Sequence, residues 1–335
     1  MKKIISLKKA RSLIDSFKGA KVLVVGDLIM DHFVWGSVTR VSPEAPVPVV
    51  DVSEETLMLG GSANVVHNIT SLGGRCYVTG ITGKDEDGKR LINELAGRGI
   101  KTDGIIVDPS RPTTIKTRVI AHHQQVVRFD RESNEEPGSK VISKVYDYIK
   151  KMVRYADVVV ISDYAKGLVT ESLVNITRDL AARSGKPLIV DPKVEHFDYY
   201  TGVDLITPNN SEAGLAAGVK IRDEASLRVA ADVIKETLGC GAILITRGEH
   251  GMSLFEEAGE THIPTAAKEV FDVSGAGDTV AAVISLALAC GASYRESAAL
   301  ANVAAGVVVE KLGTATLTPQ ELTEALSLNL GLEVG

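Results

Sequence analysis

Helical and strand-like segments alternate along this chain from residue 138 onward. Helical patterns lie at 138–154, 170–184 and about 224–238, and short apolar, β-branched runs lie at 157–161, 187–190, 204–207 and 242–246. This alternation predicts an α/β protein with a mostly parallel sheet. Because no long linker or internal repeat interrupts residues 138–327, we expect the sheet to be one unit.

Polar, charged or Gly-rich residues follow each of these predicted strands. Ligands of open α/β sheets bind outside the carboxyl ends of the strands, so these residues are candidates for a binding site. Lys166, Lys193 and Arg247 stand at such ends, and solvated surface charge is the alternative interpretation of each. Asn209 and Glu212 could place two metal-binding or water-binding groups on the first turn of a helix.

A glycine-rich run at 271–279 precedes an apolar pattern at 280–290 that predicts a buried helix. The bare N–H groups of Gly275, Ala276 and Gly277 and the positive end of the helix would attract an anionic oxygen such as that of phosphate. A carboxylate beside phosphate is unfavourable unless it takes a proton from an attacking hydroxyl, and this is the role predicted for Asp278. The alternative is a glycine turn in which Asp278 caps the helix.

The amino-terminal part offers candidates for binding hydroxyl groups. An amphipathic helix is predicted at 4–18 and a strand at 21–25, and no GxGxxG fingerprint follows that strand, which argues against dinucleotide binding. Asp31 lies just beyond the strand and is interpreted as a hydroxyl ligand rather than a turn residue. Gly60 and Gly61 permit close approach of a ligand, and Asn64 offers a donor and an acceptor before a helix at 65–72. A capped glycine turn is the alternative.

Two strands predicted at 114–121 and 125–129 carry Lys116, Arg118 and Arg128 at even spacing, so that these cations can share one strand face. This is the local positive patch that an anionic substrate needs, although a solvated face would look the same. The intervening His122–His123 pair lacks acidic partners for a metal site. The P-loop-like run at 83–90 has Arg90 where Ser or Thr is required, and is interpreted as a loop capping a helix at 88–97.

Composition excludes several classes of function. The net charge of −6 argues against nucleic-acid and membrane-surface binding. The three cysteines lie far apart, as is typical of a reducing compartment. Neither a leader nor a membrane-length apolar run is evident, so a cytoplasmic protein is expected.

Three runs resemble the signatures of the ribokinase-type (PfkB) sugar kinases, in the right order: GGSAN at 60–64, NNSE at 209–212 and DVSGAGD at 272–278. Further runs resemble the branch of that family that acts on D-glycero-β-D-manno-heptose 7-phosphate; they lie at 24–31, 40–50, 124–130, 162–167, 190–193 and 305–314. The resemblance covers about residues 20–327. Ser274 and His123 are departures, standing where relatives often carry Thr and Asn.

The resemblance implies a ribokinase-like three-layer α/β/α fold: one kinase domain over 1–335, with lid segments at about 31–52 and 105–130. It implies that Asp278 is the catalytic base, with an anion hole formed by the N–H groups of Gly275, Ala276 and Gly277. Sugar-side residues would be Asp31, Gly61, Asn64 and, for a distal phosphate, Arg118, Arg128, Lys166 and Lys193. ATP would lie against Thr246, Arg247, Gly248 and Asn302, and Asn209 and Glu212 would hold Mg²⁺ through water.

The implied reaction is transfer of the ATP γ-phosphoryl group to O1 of the heptose phosphate, in the supply of ADP-heptose for lipopolysaccharide. Also implied are a monovalent cation such as K⁺, a homodimer formed through the lid, and a separate nucleotidyltransferase, because no HxGH motif is found here. The alternatives are a related kinase of fructose phosphate or a nucleoside, a catalytically silent sugar-phosphate sensor and, least favoured, an NAD-dependent oxidoreductase.

Overall fold

The computed structural model describes residues 4–122, 124–267 and 269–329. His123, singled out above, lies outside the described residues. Within these ranges no helix is long and apolar enough to cross a membrane.

Strands occupy thirteen segments of the described chain. Their bounds are Lys21–Gly26 (β1), Leu28–Val41 (β2), Pro48–Gly61 (β3), Arg75–Gly83 (β4), Ile105–Asp108 (β5), Thr114–Ala121 (β6), Gln124–Arg131 (β7), Val158–Ser162 (β8), Leu188–Asp191 (β9), Leu205–Ile206 (β10), Ala242–Thr246 (β11), Met252–Glu256 (β12) and Gly259–Ile263 (β13).

The described part of the chain also forms ten α-helices. Their bounds are Leu7–Ser16 (α1), Ser62–Ser71 (α2), Glu86–Gly97 (α3), Ser139–Met152 (α4), Glu171–Arg183 (α5), Asn210–Ala217 (α6), Glu224–Leu238 (α7), Ala276–Ala289 (α8), Tyr294–Val308 (α9) and Pro319–Asn329 (α10). Short 3₁₀ turns occur at Phe17–Gly19, Val153–Tyr155, Val194–Tyr200 and Gly248–His250.

The large sheet has the strand order β13-β12-β11-β10-β9-β8-β1-β4-β5. The strands from β11 to β5 are parallel, whereas β12 and β13 extend the sheet antiparallel. Alternate residues of the buried strand β1 enter different cores: Val22 and Val24 pack with α2, α8 and α9, and Leu23 and Val25 pack with α4, α5 and α7. The expected α/β/α layering is thereby confirmed.

A second sheet of order β3-β2-β6-β7 stands apart from the first, and we call it the small sheet. Strand β2 pairs with β6 in parallel and with β3 antiparallel, with register shifts between Trp35 and Gly36 and between Val38 and Arg40. The chain passes from β1 in the large sheet to β2 in the small sheet through Asp27 alone. The small sheet is therefore joined to an interior strand of the large one, β1, by a single-residue connection.

The predicted carboxyl-terminal strands and helices agree closely with the structure, and β11 has the predicted bounds. Most of the extended, proline-flanked run at 47–52 lies in β3, which continues to Gly61, and the sequence analysis predicted no strand where β2 lies. Helix α8 begins at Ala276, four residues before the predicted 280, so Asp278 is in its first turn. The segment at 105–108, assigned to the lid, is β5 and pairs with β4 in the large sheet.

Candidate active site

Asp278 lies in the first turn of α8 with only 2% of its surface exposed. Its two carboxylate oxygens accept hydrogen bonds from different parts of the chain. Asn64 Nδ2 donates to Oδ2 at 2.8 Å, and the Tyr164 hydroxyl donates to Oδ1 at 2.7 Å. The carboxylate is therefore fixed between α2 and the loop that follows β8.

Burial raises the pKa of Asp278 from 3.8 to about 7. The nearby Asp31 charge contributes to this rise, and the hydrogen bonds from Asn64 and Tyr164 oppose it. Desolvation dominates because the ionised form loses its hydration when it is buried. A carboxylate with a pKa near neutrality is suited to take up and release a proton at the pH of a cell interior.

Asn64 belongs to a buried network that connects α2 to α8. Asn68 Nδ2 donates to the Asn64 Oδ1 at 3.2 Å, and the Thr279 hydroxyl donates to Asn68 Oδ1 at 3.1 Å. Gly275, at φ +76°, is required where the two helices meet, since a Cβ there would lie 2.5 Å from Asn64 Nδ2. The absence of a side chain at Gly275 therefore allows the contact between Asn64 and the loop.

The N–H groups of the loop before α8 are used unequally. The Ala276 N–H donates to the Val273 carbonyl at 3.2 Å, so this member of the predicted anion hole has a partner inside the loop. For the N–H groups of Gly275 and Gly277 the described residues provide no acceptor. These two groups, at the positive end of α8, are the ones available to an anion.

The loop after β8 is held by two buried carboxylates. Asp27 Oδ2 accepts from the N–H groups of Tyr164 at 2.9 Å and Lys166 at 3.1 Å, and Asp163 Oδ1 accepts from Ala165 N–H at 2.7 Å. Ala165 has φ +53°, a conformation that is uncommon for a residue with a side chain. Burial and the Asp163 charge raise the pKa of Asp27 to about 6.

Asp31, on β2, is 5% exposed and is paired with Arg118 on β6. Gly60 is required beside this pair, because a Cβ at that position would lie 2.2 Å from the Asp31 Oδ2. Gly61, at φ +54°, forms the N-cap of α2. The predicted sugar-side residues Asp31, Gly61 and Asn64 thus lie at the junction of the small sheet with α2.

Of the predicted cations, Lys116, Arg118 and Arg128 share one face of the small sheet, and each is paired with a carboxylate. Arg128, the cross-strand partner of Arg118, binds Asp130 through Nε at 2.9 Å and Nη2 at 2.6 Å. Lys116 contacts Asp130 at 3.1 Å, and Lys166 contacts Glu132 at 2.8 Å. The positive patch predicted from the sequence is present, but carboxylates of the protein itself neutralise it.

Asn209 and Glu212 form a reciprocal capping box at the start of α6. Glu212 N–H donates to Asn209 Oδ1 at 2.9 Å, and Asn209 N–H donates to Glu212 Oε2 at 2.8 Å. Glu212 has a raised pKa because it is partly buried, and the charge of Lys193 opposes this rise, so Lys193 lies within electrostatic reach of Glu212.

The residues present fit a magnesium ion bound through water. Burial raises the pKa of Asp191, and the charges of Asp278 and Glu212 raise it further. Carboxylates that repel one another across a cleft are stabilised by a divalent cation, and Mg²⁺ prefers oxygen ligands and retains several waters. No group of three or more acidic, His or Cys side chains is arranged for direct coordination in the described part of the chain.

The predicted nucleotide-side residues lie at the end of β11 and on α9. The backbone of Thr246 forms an isolated parallel β-bridge with that of Asn209, and Gly248 adopts φ +56°. The Arg247 guanidinium is 2.6 Å from Glu224 and 3.1 Å from the Ser253 hydroxyl, so it is held by the protein itself. Asn302 is buried, with Nδ2 donating to the Pro264 carbonyl at 2.8 Å.

Comparison with known proteins gives the class to which this fold and site belong. Residues 20–321 match the family model described as "pfkB family carbohydrate kinase". The chain therefore belongs to the pfkB family of carbohydrate kinases, and the predicted enzyme class, a sugar kinase, is confirmed.

Curated relatives are more specific in name. The chain is similar to "Bifunctional protein HldE" of Trichlorobacter lovleyi, with 48% identity over 322 residues that cover 96% of this chain and 66% of the relative. It is also similar to the protein of the same name from Geobacter metallireducens, with 45% identity over 94% of this chain and 64% of the relative. The chain spans about two thirds of the length of these relatives.

Solved structures share the fold at low sequence identity. Arabidopsis thaliana ribokinase complexed with ribose and ATP has a TM-score of 0.73 at 20% identity, covering 92% of this chain and 98% of that one. Escherichia coli phosphofructokinase-2 in complex with potassium has a TM-score of 0.76 at 16% identity, with the same coverage. The predicted ribokinase-like fold is confirmed by these likenesses.

Sequence reasoning missed three side chains of the site: Tyr164, Asp191 and Asp27. Tyr164 and Asp191 stand inside runs that were recognised, SDYAKG and VDPK, where attention went to the lysines instead. Asp27 follows β1 directly, and the sequence analysis assigned it no role. Their position at the carboxyl ends of β8, β9 and β1 was the available signal.

Proposed function

We propose that this chain phosphorylates O1 of D-glycero-β-D-manno-heptose 7-phosphate with ATP, giving the 1,7-bisphosphate. The observation that carries the proposal is Asp278, a carboxylate buried in the first turn of α8 directly after a glycine-rich loop, with a pKa of about 7. The relatives named "Bifunctional protein HldE" and the heptose-kinase resemblance of 162–167 and 190–193 support the choice of acceptor.

In the proposed reaction Asp278 takes the proton of the O1 hydroxyl while the O1–P bond forms. The bond from the γ-phosphorus to the bridging oxygen breaks at the same time, releasing ADP. The free N–H groups of Gly275 and Gly277 would stabilise negative charge on the transferred phosphoryl group, and one such donor is typically worth about 2.7–4 kcal/mol. Magnesium held through Asn209 and Glu212 would neutralise the ATP phosphates.

The sugar would lie between the small sheet and α2. Asp31, Gly61 and Asn64 would bind its hydroxyl groups, and Arg118, Arg128, Lys166 and Lys193 are the candidates for its 7-phosphate. Thr246, Arg247, Gly248 and Asn302 would line the nucleotide side. The small sheet would act as a lid that excludes water, which otherwise competes as acceptor, and the whole of 1–335 would form one kinase domain.

The lid is also our candidate for a homodimer interface. On its outer face Val127 and Phe129 are 49% and 58% exposed, and Leu57 on β3 is 38% exposed. Exposed apolar side chains grouped on one sheet face are typical of an interaction surface. Measurement of the molar mass in solution by light scattering tests this: a monomer at micromolar concentration would exclude it.

We further propose a cytoplasmic role in ADP-heptose supply for lipopolysaccharide, with the product passing to a nucleotidyltransferase. A monovalent cation such as K⁺ belongs to the proposal. Replacing Na⁺ in the assay buffer by K⁺ at constant ionic strength should raise the activity if this cation is used.

The decisive experiment is an ADP-release assay across a panel of sugar phosphates and sugars. We expect kcat/KM to be highest for the β anomer of heptose 7-phosphate and much lower for fructose 6-phosphate, ribose and nucleosides. Faster turnover of fructose 6-phosphate would replace the substrate but leave the kinase assignment in place. Binding of sugar phosphates without any ADP release would instead identify a silent sensor.

A further inference from the structure

The Asp278 carboxylate receives one hydrogen bond on each oxygen, and one of the two donors, Tyr164, has no role in the scheme above. We infer that Tyr164 is the positioning residue of the catalytic base, whose phenol orients the Asp278 carboxylate and favours its ionised form through the hydrogen bond to Oδ1. This inference rests on the proposed function, since it gives Tyr164 a task only if Asp278 acts as the base.

The position of Tyr164 is set by its loop rather than by chance packing. Its N–H and that of Lys166 are bound by the buried Asp27, and the next residue, Ala165, is held in the left-handed region by Asp163. A backbone conformation that is disfavoured by itself persists only when its surroundings impose it. The carboxyl ends of β1 and β8 thus cooperate to direct one phenol at one carboxylate.

The electrostatic surroundings of Asp278 explain why such a donor is needed. The charged groups that face it from the packed elements, Asp31 on β2 and Asp191 on β9, are both acidic, and burial also favours the neutral form. Tyr164 and Asn64 are the neutral donors that act in the opposite direction. Burial and the Asp278 charge raise the pKa of Tyr164 well above 10, so its hydroxyl stays protonated and remains a donor throughout the working pH range.

The two donors are not equivalent once the proton has arrived. The Asn64 Nδ2 can only donate, whereas the Tyr164 oxygen also carries lone pairs and can accept. When the acceptor hydroxyl gives its proton to Asp278, the O–H of the substrate breaks and an O–H on the carboxyl forms. Tyr164 keeps its own proton and can turn its oxygen toward a protonated Oδ1. The same side chain can therefore hydrogen-bond both the ionised and the protonated form of Asp278.

The test is the pH dependence of kcat/KM for the Tyr164→Phe variant, assayed with heptose 7-phosphate and ATP. Phe keeps the ring and removes the donor, so the acid limb should move about one pH unit upward. The loss should be about tenfold at pH 6 and within about twofold at pH 9. Tyr148→Phe is the matched control: this buried hydroxyl donates to Asp103 at 3.3 Å, away from the site, and its loss should not move the limb.

Other outcomes overturn the inference. A loss that is equal at every pH, or a rise in the sugar-phosphate KM with kcat unchanged, would make Tyr164 a structural or substrate-binding residue. Melting temperatures of Tyr164→Phe and Tyr148→Phe separate misfolding from a changed base. Asp278→Asn keeps this failure distinct from failure of the proposed function: if that variant is inactive while the Tyr164→Phe profile stays unshifted, only the positioning role is excluded.

Discussion

The proposed base and the candidate cations of this site differ in the groups that hold them. Asp278 is enclosed in the large-sheet half, where neutral donors from α2 and the β8 loop occupy both of its oxygens. Arg118, Arg128 and Lys166, near the lid, are instead paired with Asp31, Asp130 and Glu132. The proposed base is thus already held in one position, whereas the cations would have to exchange an internal carboxylate for the proposed phosphate.

This difference has an energetic meaning. A preorganised base requires no rearrangement at the moment of reaction, which is where enzymes gain most from fixed dipoles. Cations paired with carboxylates avoid mutual repulsion in the empty site, and they favour ligands that bring at least the same negative charge. If the proposed roles hold, we expect Asp278 to govern the rate and the lid cations to govern which sugar is accepted.

The largest effect is expected at the base. Asp278→Asn keeps the shape of the side chain but removes its basicity, so kcat should fall by about 10²–10⁴-fold. Steady-state ADP release measures this, with Asp232→Asn on the exposed face of α7 as the matched control. Retention of kcat within about tenfold of the parent would exclude the base role.

The next effect tests whether the base is preorganised. Gly275→Ala places a Cβ 2.5 Å from Asn64 Nδ2 at a φ of +76°, so it should displace one of the donors to Asp278 and lower kcat by about 10–100-fold. Gly291→Ala, at φ +78° with open space around its Cβ, has the backbone strain without the clash. Equal losses of activity in both variants would show that strain alone matters.

A smaller effect is expected at the lid cations, and it should appear in KM. Arg118→Lys keeps the charge but loses the planar fork, so the KM for sugar phosphate should rise about tenfold while that for ATP changes less than about twofold. Arg131→Lys, on the neighbouring β7 and paired with Asp87, is the control. Lys193→Ala should likewise raise the KM for sugar phosphate far more than that for ATP. Equal effects on both KM values would move Lys193 out of the 7-phosphate site and to the side of Glu212, which its charge reaches.

The smallest effect is on stability and has a defined sign. The pKa of Asp278 is raised on folding from 3.8 to about 7, so its contribution to stability is fully present below about pH 3.8 and is lost as the pH rises through 7. Asp278→Asn should therefore melt a few degrees higher than the parent at pH 8 and show little difference at pH 4. Calorimetry at the two pH values measures this, and a lower melting temperature at pH 8 would contradict it.

The two halves also differ in how well the sequence predicted them. Strands β8 and β11 are continuous buried runs of β-branched and Leu or Ile residues, which parallel sheets require, so their bounds were readable. Strand β2 is buried at one end and exposed at the other, and its register shifts break the alternation that would reveal it. The lid was therefore underestimated, although β6 was found with its bounds intact.

The site follows the same division. Asp278 and Asn64 stand in glycine-rich runs whose chemistry is local, so the sequence singled them out. Tyr164 acquires its role only through a partner 114 positions away, and no pattern along the chain encodes such a distance. Likewise, the carboxylates that neutralise Arg118 and Lys166 lie on β2 and just after β7, and only the fold brings these charges together.

The single-residue passage from β1 to β2 has a practical consequence. Trp35, the one tryptophan of the sequence, lies on β2, stacked against Phe33 with ring centroids 6.0 Å apart and bonded to the Thr56 hydroxyl at 3.2 Å. Any rotation of the small sheet about Asp27 displaces this indole relative to the rest of the protein. Its emission is thus a built-in optical reporter of lid movement, and stopped-flow fluorescence can time that movement without a label.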